Sequence, residues 1–189
     1  MQWYLLHGAL YSGSRLAKVD TSNPALMECT FCHEEETIEH LFMTCPRIHN
    51  FWTYLLYDWK RMIGDFSPPS QPLWIDVACG FPTSWCKTQS INNCWPVIYL
   101  AAIWTIWTTR NGVRFGDERQ QNSSVAAQFD RFLSLDLQRL YLQSKTTRTL
   151  PKFSNMWGAL PDLCRIESNK LIVHYSMFNN HYSPNSESE

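Results

Sequence analysis

The chain has 189 residues, a formal net charge of -1 and 44% hydrophobic residues, enough for a buried core in one domain or in a small domain with a larger companion. A charge this close to zero excludes the strongly basic class of nucleic-acid-binding proteins, so that any such binding must be local. The longest apolar run, from Cys94 to Trp107, is shorter than the roughly 20 residues that span a bilayer. We therefore expect no membrane segment.

The cysteine content indicates a cellular compartment. Seven cysteines are an odd number, and the N-terminal residues lack the basic segment and the long apolar stretch of a secretory signal. Thiols stay reduced inside the cell. We expect an intracellular, reducing compartment, without a distinction between nucleus and cytoplasm.

A small helical module is predicted for residues 1–64. The apolar segment 3–10 indicates a short helix at its start. Thr37 can cap a second helix of two turns, which ends at Thr44. The module is therefore expected to consist of short helices joined by turns.

The clearest amphipathic helix of the chain closes this module. Apolar side chains recur at helical spacing over Ile48–Ile63, with Pro46 as a helix start and Gly64 as a stop. Residues 65–91 contain several prolines and little periodicity, which predicts a long connection with room for one short helix at Trp74–Cys79.

A second helical region is predicted for residues 92–150. The segment Trp95–Arg114 is apolar on nearly every face, which predicts a central helix buried on all sides. One of the polar residues 122–124 can cap a further helix, whose exposed face carries Arg131 and Arg139.

The C-terminal part has weaker patterns. Residues 151–178 are predicted to form a short irregular or strand segment, because residues 170–175 have the β-branched and aromatic composition of a strand. Residues 179–189 are polar and predicted to be disordered. The expected fold class is mainly α, a helical module followed by a helical pair or bundle, with little or no β.

Four residues in the first module have the spacing of a metal site. Cys29, Cys32, His40 and Cys45 follow the pattern C-x2-C-x7-H-x4-C, and the two-residue gap lets a tight turn aim both sulfurs at one point. Three cysteines and one histidine form a closed tetrahedral set for Zn2+, without an open position for water. We predict one structural zinc ion in a zinc-knuckle module, and no catalysis at the metal.

The surroundings of this site refine the prediction. His33 competes with His40 as the fourth ligand and ranks second, because directly after Cys32 it would point away from the site.

Cys45 lies about 140° round a helix from His40, so the helix must end or unwind before Cys45 reaches the metal. Four glutamates surround the site and should keep phosphate away from it: Glu34, Glu35, Glu36 and Glu39.

Two sequence blocks resemble a known family. Cys29-x2-Cys32 with the string Glu36-Thr37-Ile38-Glu39-His40-Leu41-Phe42 and the pair Cys45-Pro46 is similar to the reverse transcriptase zinc-binding domain of non-LTR, long-interspersed-element-type retrotransposons. Ile106-Trp107-x2-Arg110-Asn111-x3-Phe115 resembles a second block that follows the zinc module in such elements. Together the matches cover roughly the first 115 residues.

This resemblance implies an accessory domain that follows the polymerase in the element protein and assists its handling of template RNA and target DNA. The chain contains no adjacent pair of aspartates of the kind that binds catalytic metal, so we predict a detached part of an element without enzyme activity. A nuclease set of Asp162, Glu167 and Lys170 has the wrong spacing. The expected partners are RNA or DNA and the polymerase domain of the parent element, with no small-molecule substrate.

A local basic region supports the nucleic-acid hypothesis. Residues 110–152 carry eight Lys or Arg against four Asp or Glu. The principal candidate contacts are Arg110, Asn111, Arg114, Arg131 and Arg139, followed by Arg119, Lys145, Arg148 and Lys152. For Arg110 and Asn111 we favour a structural role, which is to anchor the C-terminal end of the buried helix. The alternative function is a protein-interaction scaffold with no remaining nucleic-acid function.

Overall fold

The computed structural model describes residues 8–64, 73–80, 93–116 and 124–181. Most of the predicted helix over residues 3–10, much of the connection at 65–91 and residues 182–189 of the predicted tail lie outside these ranges. Within them the structure is mainly α, as predicted, with one two-stranded sheet. None of the described helices has the length and the apolarity needed to cross a membrane.

The first half of the chain contains two short helical turns between two α-helices. Helix α1 spans Gly13–Val19, and a 3-10 turn follows at Pro24–Met27. A π-helical turn spans His40–Thr44 and leads into helix α2, Pro46–Ile63. Pro46 suits the start of α2 because proline has no amide hydrogen that would be left unpaired there. Gly64 ends α2 in the left-handed region, with φ 71°.

The described residues of the second half form five further helices. Helix α3 spans Trp74–Cys79, as predicted, and α4 spans Trp95–Phe115. Helix α5 spans Val125–Thr146, where the hydroxyl of Ser124 caps the first turn by accepting from the amide of Ala127 at 3.0 Å. The sequence left the capping residue open among 122–124, and the structure identifies it as Ser124.

The C-terminal part is more ordered than the sequence predicts. Helix α6 spans Leu150–Trp157, in a stretch that we expected to be irregular or extended. Pro151 occupies the first turn of this helix, so the proline that suggested a break instead starts the helix. A short helix α7, Met177–His181, includes the first residues of the predicted disordered tail.

A β-hairpin lies between α6 and α7. Strands β1, Cys164–Glu167, and β2, Lys170–Val173, pair antiparallel. Ser168 and Asn169 have φ angles of 47° and 64°, the conformation of a two-residue type I′ turn that matches the strand twist. The strand predicted for residues 170–175 is therefore present over residues 170–173, with a partner that the sequence did not reveal.

One hydrophobic core joins the two halves of the chain. Phe51 of α2 meets Phe129 of α5 edge to face, with ring centroids 5.4 Å apart. Trp59 of α2 lies against Trp95 of α4 at 5.2 Å. These aromatic pairs hold the module that contains the cysteine motif firmly on the helices that follow.

Helix α4 is not buried on all sides, contrary to the prediction. Leu100 and Trp104, one turn apart, are each 47% exposed. The opposite face of α4 is buried and packs on the π turn and on α5. An apolar helix therefore keeps one uncovered strip in the part of the chain that the structure describes, and this strip is a candidate contact surface.

Candidate metal centre

A tight turn places the first two cysteines. Residues Glu28 and Glu35 form an antiparallel bridge, and between them the amide of Cys29 donates to the carbonyl of Glu34 at 2.6 Å. The carbonyl of Cys29 accepts from the amide of His33 at 2.9 Å. His33 adopts the left-handed region with φ 66°, which closes the turn directly after Cys32.

The π turn places the other two ligands. The hydroxyl of Thr37 accepts from the amide of His40 at 3.0 Å, so Thr37 caps the start of this segment as predicted. The amide of Cys45 then donates to the carbonyl of His40 at 2.8 Å, a bond from residue i+5 to residue i. The segment ends at Thr44 and Cys45 is not helical, with φ -57° and ψ 128°, so the helix ends before Cys45 as predicted. The wider π turn, which the sequence does not predict, brings residues five apart onto one side.

The four side chains converge on one point. The sulfur of Cys45 lies 3.9 Å from that of Cys29 and 3.8 Å from that of Cys32. The Nε2 atom of His40 lies 3.2 Å from the Cys32 sulfur, and all four ligand atoms lie within 4.8 Å of one another. The sulfurs are much too far apart for a disulfide, in which they are about 2.05 Å apart.

The two sulfur–sulfur distances match the edges of a zinc tetrahedron. Zn–S bonds of about 2.3 Å at tetrahedral angles separate two sulfurs by about 3.8 Å. The cysteine sulfurs and the imidazole are shielded from solvent, since Cys29, His40 and Cys45 are buried and Cys32 is half-buried. The donor set is therefore suited to a closed, four-coordinate metal ion.

The three thiols differ in acidity. The contact with Cys45 lowers the pKa of Cys29 to about 5. The same contact, together with burial, raises the pKa of Cys45, while burial raises that of Cys32. One thiolate is thus available at neutral pH without metal, and a cation in the centre would ionise the other two thiols.

The histidine assignment follows from geometry. His40 directs Nε2 towards the sulfurs, and its Nδ1 atom lies 3.8 Å from a carboxylate oxygen of Glu34, on the outer side of the site. The side chain of His33 is 81% exposed and faces Glu28 at 3.8 Å. The structure therefore groups His40, and not His33, with the three cysteines.

Glu36 does not belong to the acidic surface around the site, contrary to the prediction. Glu34, Glu35 and Glu39 are exposed, but Glu36 is 0% exposed. Its carboxylate accepts from the amide of Gly13 at 2.6 Å and from the guanidinium of Arg110. A buried carboxylate needs such partners, because an unpaired charge is costly to remove from water.

Two of the predicted nucleic-acid contacts lie in this buried cluster. Arg110 is 1% exposed, and its Nε atom lies 3.0 Å from Glu36 Oε1, while Nη1 donates to Asn111 Oδ1 at 2.8 Å. Arg114 lies 3.3 Å from Glu36 and donates to the carbonyls of Leu26 and Glu28. Both arginines contact the segments that carry the candidate ligands and not the end of their own helix, and Asn111 is half-buried beside Arg110.

Two further principal contacts from the sequence lie on the surface of α5, whereas Arg119 lies outside the described residues. Arg131 and Arg139 are exposed, as expected from the helical pattern. Arg139 pairs with Asp136 one turn earlier, at 3.3 Å, and its side chain remains 75% exposed. The sequence pattern could locate this exposed face, but it could not detect Glu36 as the partner of Arg110, because the two residues are 74 positions apart.

The fold and the site together define a mainly α protein with a Cys3His cluster that could hold a metal ion. Residues 1–52 match the family model described as zinc-binding in reverse transcriptase, so this part of the chain is similar to that domain. The family match confirms the resemblance of the first sequence block and does not extend to the second block at residues 106–115.

A curated relative comes from a transposon. The chain is 35% identical over 68 residues to the transposon TX1 uncharacterized 149 kDa protein of Xenopus laevis. The aligned segment is 36% of this chain and 5% of the relative, so the chain spans only a small part of that protein. No solved structure matches the chain significantly.

Proposed function

We propose that Cys29, Cys32, His40 and Cys45 hold one structural Zn2+ ion, in an accessory module derived from a retrotransposon reverse transcriptase. The observation that carries this proposal is the convergence of three sulfurs and one imidazole nitrogen within 4.8 Å of one another, with two of the sulfur–sulfur distances at the edge length of a zinc tetrahedron. When bound, the ion cross-links two backbone segments and supplies no reactive water, because its four positions are filled.

The fold of the module supports a structural role for the metal. Segment 20–35 contains turns and a single isolated bridge, with few backbone hydrogen bonds of its own. Small domains of this kind depend on a metal or a disulfide for their stability. Zinc binding would therefore contribute directly to the folding of the first half of the chain.

A matched pair of cysteine variants tests this proposal. Cys32→Ser removes one ligand, whereas Cys79→Ser changes an exposed free cysteine on α3 outside the cluster. We expect the first variant to lose zinc and to melt well below the parent protein, and the second to retain both zinc content and melting temperature. Equal zinc content and equal melting of all three proteins would refute the ligand assignment.

We further propose that the accessory role includes contact with RNA or DNA through the outer face of α5 and the turn after it. Four basic side chains on these segments are partly or fully exposed, namely Arg131, Arg139, Lys145 and Arg148, and exposed Lys152 follows on the first turn of α6. Buried Arg110 and Arg114 are not part of this surface. The acidic surface of the metal module makes it a poor candidate for phosphate contact.

The nucleic-acid proposal is tested by its salt dependence. Arg131→Ala with Arg139→Ala should weaken binding of a labelled single-stranded RNA or DNA and lower the salt slope by about 1 for each lost phosphate contact. Lys60→Ala, on an exposed position of α2, is the control and should leave the slope unchanged. Identical slopes in all variants would exclude α5 as the binding face.

The exposed strip of α4 favours a second candidate function, contact with a protein partner. Leu100 and Trp104 form an apolar pair of the kind that protein interfaces cover. The partner proposed from the family is the polymerase domain of the parent element. Leu100→Ser with Trp104→Ser should abolish co-purification with that domain, whereas Leu142→Ser on α5 should not. Retention by the double variant would exclude this surface.

A further inference from the structure

Two arginines of α4 contact both backbone segments that carry the metal ligands. Arg114 donates to the carbonyls of Leu26 at 2.9 Å and Glu28 at 2.7 Å, directly before Cys29. Arg110 binds the carboxylate of Glu36, four residues before His40. The two segments that a metal ion would join are therefore already held together by one helix.

Glu36 is the junction of this arrangement. Its amide donates to the carbonyl of Met27 at 2.8 Å, and its carbonyl accepts from the amide of Ser14 at 3.0 Å. Its carboxylate accepts from the amide of Gly13 as well as from Arg110. All hydrogen-bonding groups of this residue are used to fix the segment before the π turn against α1, the 3-10 turn and α4.

An aromatic stack provides a second connection between α4 and the π turn. The guanidinium of Arg110 lies 5.4 Å from the ring centroid of Trp107. Trp107 in turn stacks on Phe42 of the π turn, with centroids 6.5 Å apart and an interplanar angle of 14°. Helix α4 thus contacts the ligand-bearing segment both before His40 and after it.

The energetics of burial couple these contacts to one another. Burial lowers the pKa of Arg110, and the Glu36 carboxylate opposes this effect. Neither charge is stable in the core alone, so the pair holds only while the module and α4 remain docked. A metal ion that fixes the module would stabilise this docking, and by linkage the docked helix would strengthen metal binding equally.

We propose that Arg110 and Arg114 are positioning residues for the metal site, and that metal binding and docking of α4 are one coupled equilibrium. This inference rests on the proposed zinc site, since without a bound ion there is no affinity for α4 to modulate. It predicts that a residue 65 positions after Cys45 in the sequence, Arg110, controls metal affinity without touching the metal.

The first test measures zinc affinity by competition with a chromophoric chelator. Arg110→Met should weaken zinc binding about 10- to 100-fold, the usual effect of losing a group that orients metal ligands. Arg139→Met, on the exposed face of α5, should change it less than about twofold. Phe153→Ala removes a buried ring of α6 and serves as a destabilised control, with a lower melting temperature and unchanged zinc affinity.

A spectroscopic measurement separates positioning from general stability. In the Co2+ form, the visible bands report the geometry of the three sulfurs and the nitrogen. We expect changed band positions or intensities in Arg110→Met and an unchanged spectrum in Phe153→Ala. Unaltered affinity and an unaltered spectrum in Arg110→Met would overturn the inference.

Hydrogen exchange of the parent protein provides the reciprocal test and requires no variant to fold. Chelation of the metal should accelerate exchange of the amides around Arg110 in α4, while those of α6 exchange as before. Equal exchange rates of the α4 amides with and without metal would overturn the proposed coupling. If the parent protein binds no zinc at all, the proposed function fails, and that result is distinct from zinc binding without coupling.

Discussion

The amide of Cys45 donates to the carbonyl of His40 across 2.8 Å, and this one π-type hydrogen bond brings two ligands of the candidate metal site together. In a regular α-helix these residues would point about 140° apart. π-type turns inside helices occur frequently at functional sites, because they reorient side chains without a loop. The spacing of four residues between the histidine and the last cysteine is therefore matched to the wider turn.

Insertion of one alanine between Met43 and Thr44 should abolish metal binding. The insertion keeps every ligand but rotates Cys45 by about 100° relative to His40. The control is Thr44→Ala, which changes an exposed residue of the same turn and preserves the spacing. Zinc content by elemental analysis checks the prediction, and full occupancy of the insertion variant would mean that the π turn is not required.

Metal affinity should rise with pH with a slope set by two thiols. The pKa of Cys29 is lowered to about 5, so this thiol is already ionised above pH 6. The pKa values of Cys32 and Cys45 are raised, so both must release protons when a metal binds. The apparent zinc dissociation constant should fall about 100-fold per pH unit between roughly pH 6.5 and 8. A fall of about 1000-fold per pH unit would mean that three protons are released, and would show that the pKa of Cys29 is not lowered.

Gly13→Ala should destabilise the first half of the chain. A methyl group at this position would lie 2.5 Å from the carbonyl oxygen of Leu26 and 2.9 Å from that of Met27. Relief requires a backbone shift, which costs about 1–3 kcal/mol and disturbs the bond from Gly13 to Glu36. Gly64→Ala meets open space but has an unfavourable φ of +71°, and should cost about 1 kcal/mol. Chemical denaturation compares the two, and a neutral Gly13→Ala would contradict the close packing described here.

Tyr175→Phe should loosen the C-terminal segment from α2. The hydroxyl of Tyr175 donates to Asp58 at 3.0 Å, and Asp58 is a buried carboxylate that also contacts His181 at 2.9 Å. Burial raises the pKa of Tyr175, so the hydroxyl remains a donor at all physiological pH values. Loss of this bond should cost about 1–3 kcal/mol in the free energy of unfolding. Tyr11→Phe on the surface is the control, and equal effects of both substitutions would contradict the structural role of Tyr175.

Local signals in the sequence predicted most of the helices. The bounds of α2 follow from Pro46 and Gly64, and those of α5 from a polar cap before a helical repeat. The four candidate ligands are close in sequence, so their spacing alone predicted the cluster that the structure brings together. These features depend on neighbouring residues, which explains why one sequence was sufficient to identify them.

Features that depend on distant residues were not predictable in this way. In the sequence Glu36 cannot be distinguished from its acidic neighbours, because its partner Arg110 comes from α4, 74 positions away. The hairpin turn at Ser168 and Asn169 lacks the glycine that usually marks a type I′ turn. Helix α6 was not predicted, because a proline such as Pro151 can either break a helix or begin one. The burial of Phe153 and Trp157 in the core favours the helix, and this packing cannot be read from the local sequence.

Zinc analysis of the purified 189-residue chain, with X-ray absorption at the zinc edge, tests the central claim most directly. The account predicts one zinc per chain, bound by three sulfurs at about 2.3 Å and one nitrogen at about 2.0–2.1 Å. A folded protein that contains no zinc, or one whose zinc has a different ligand set, would contradict it.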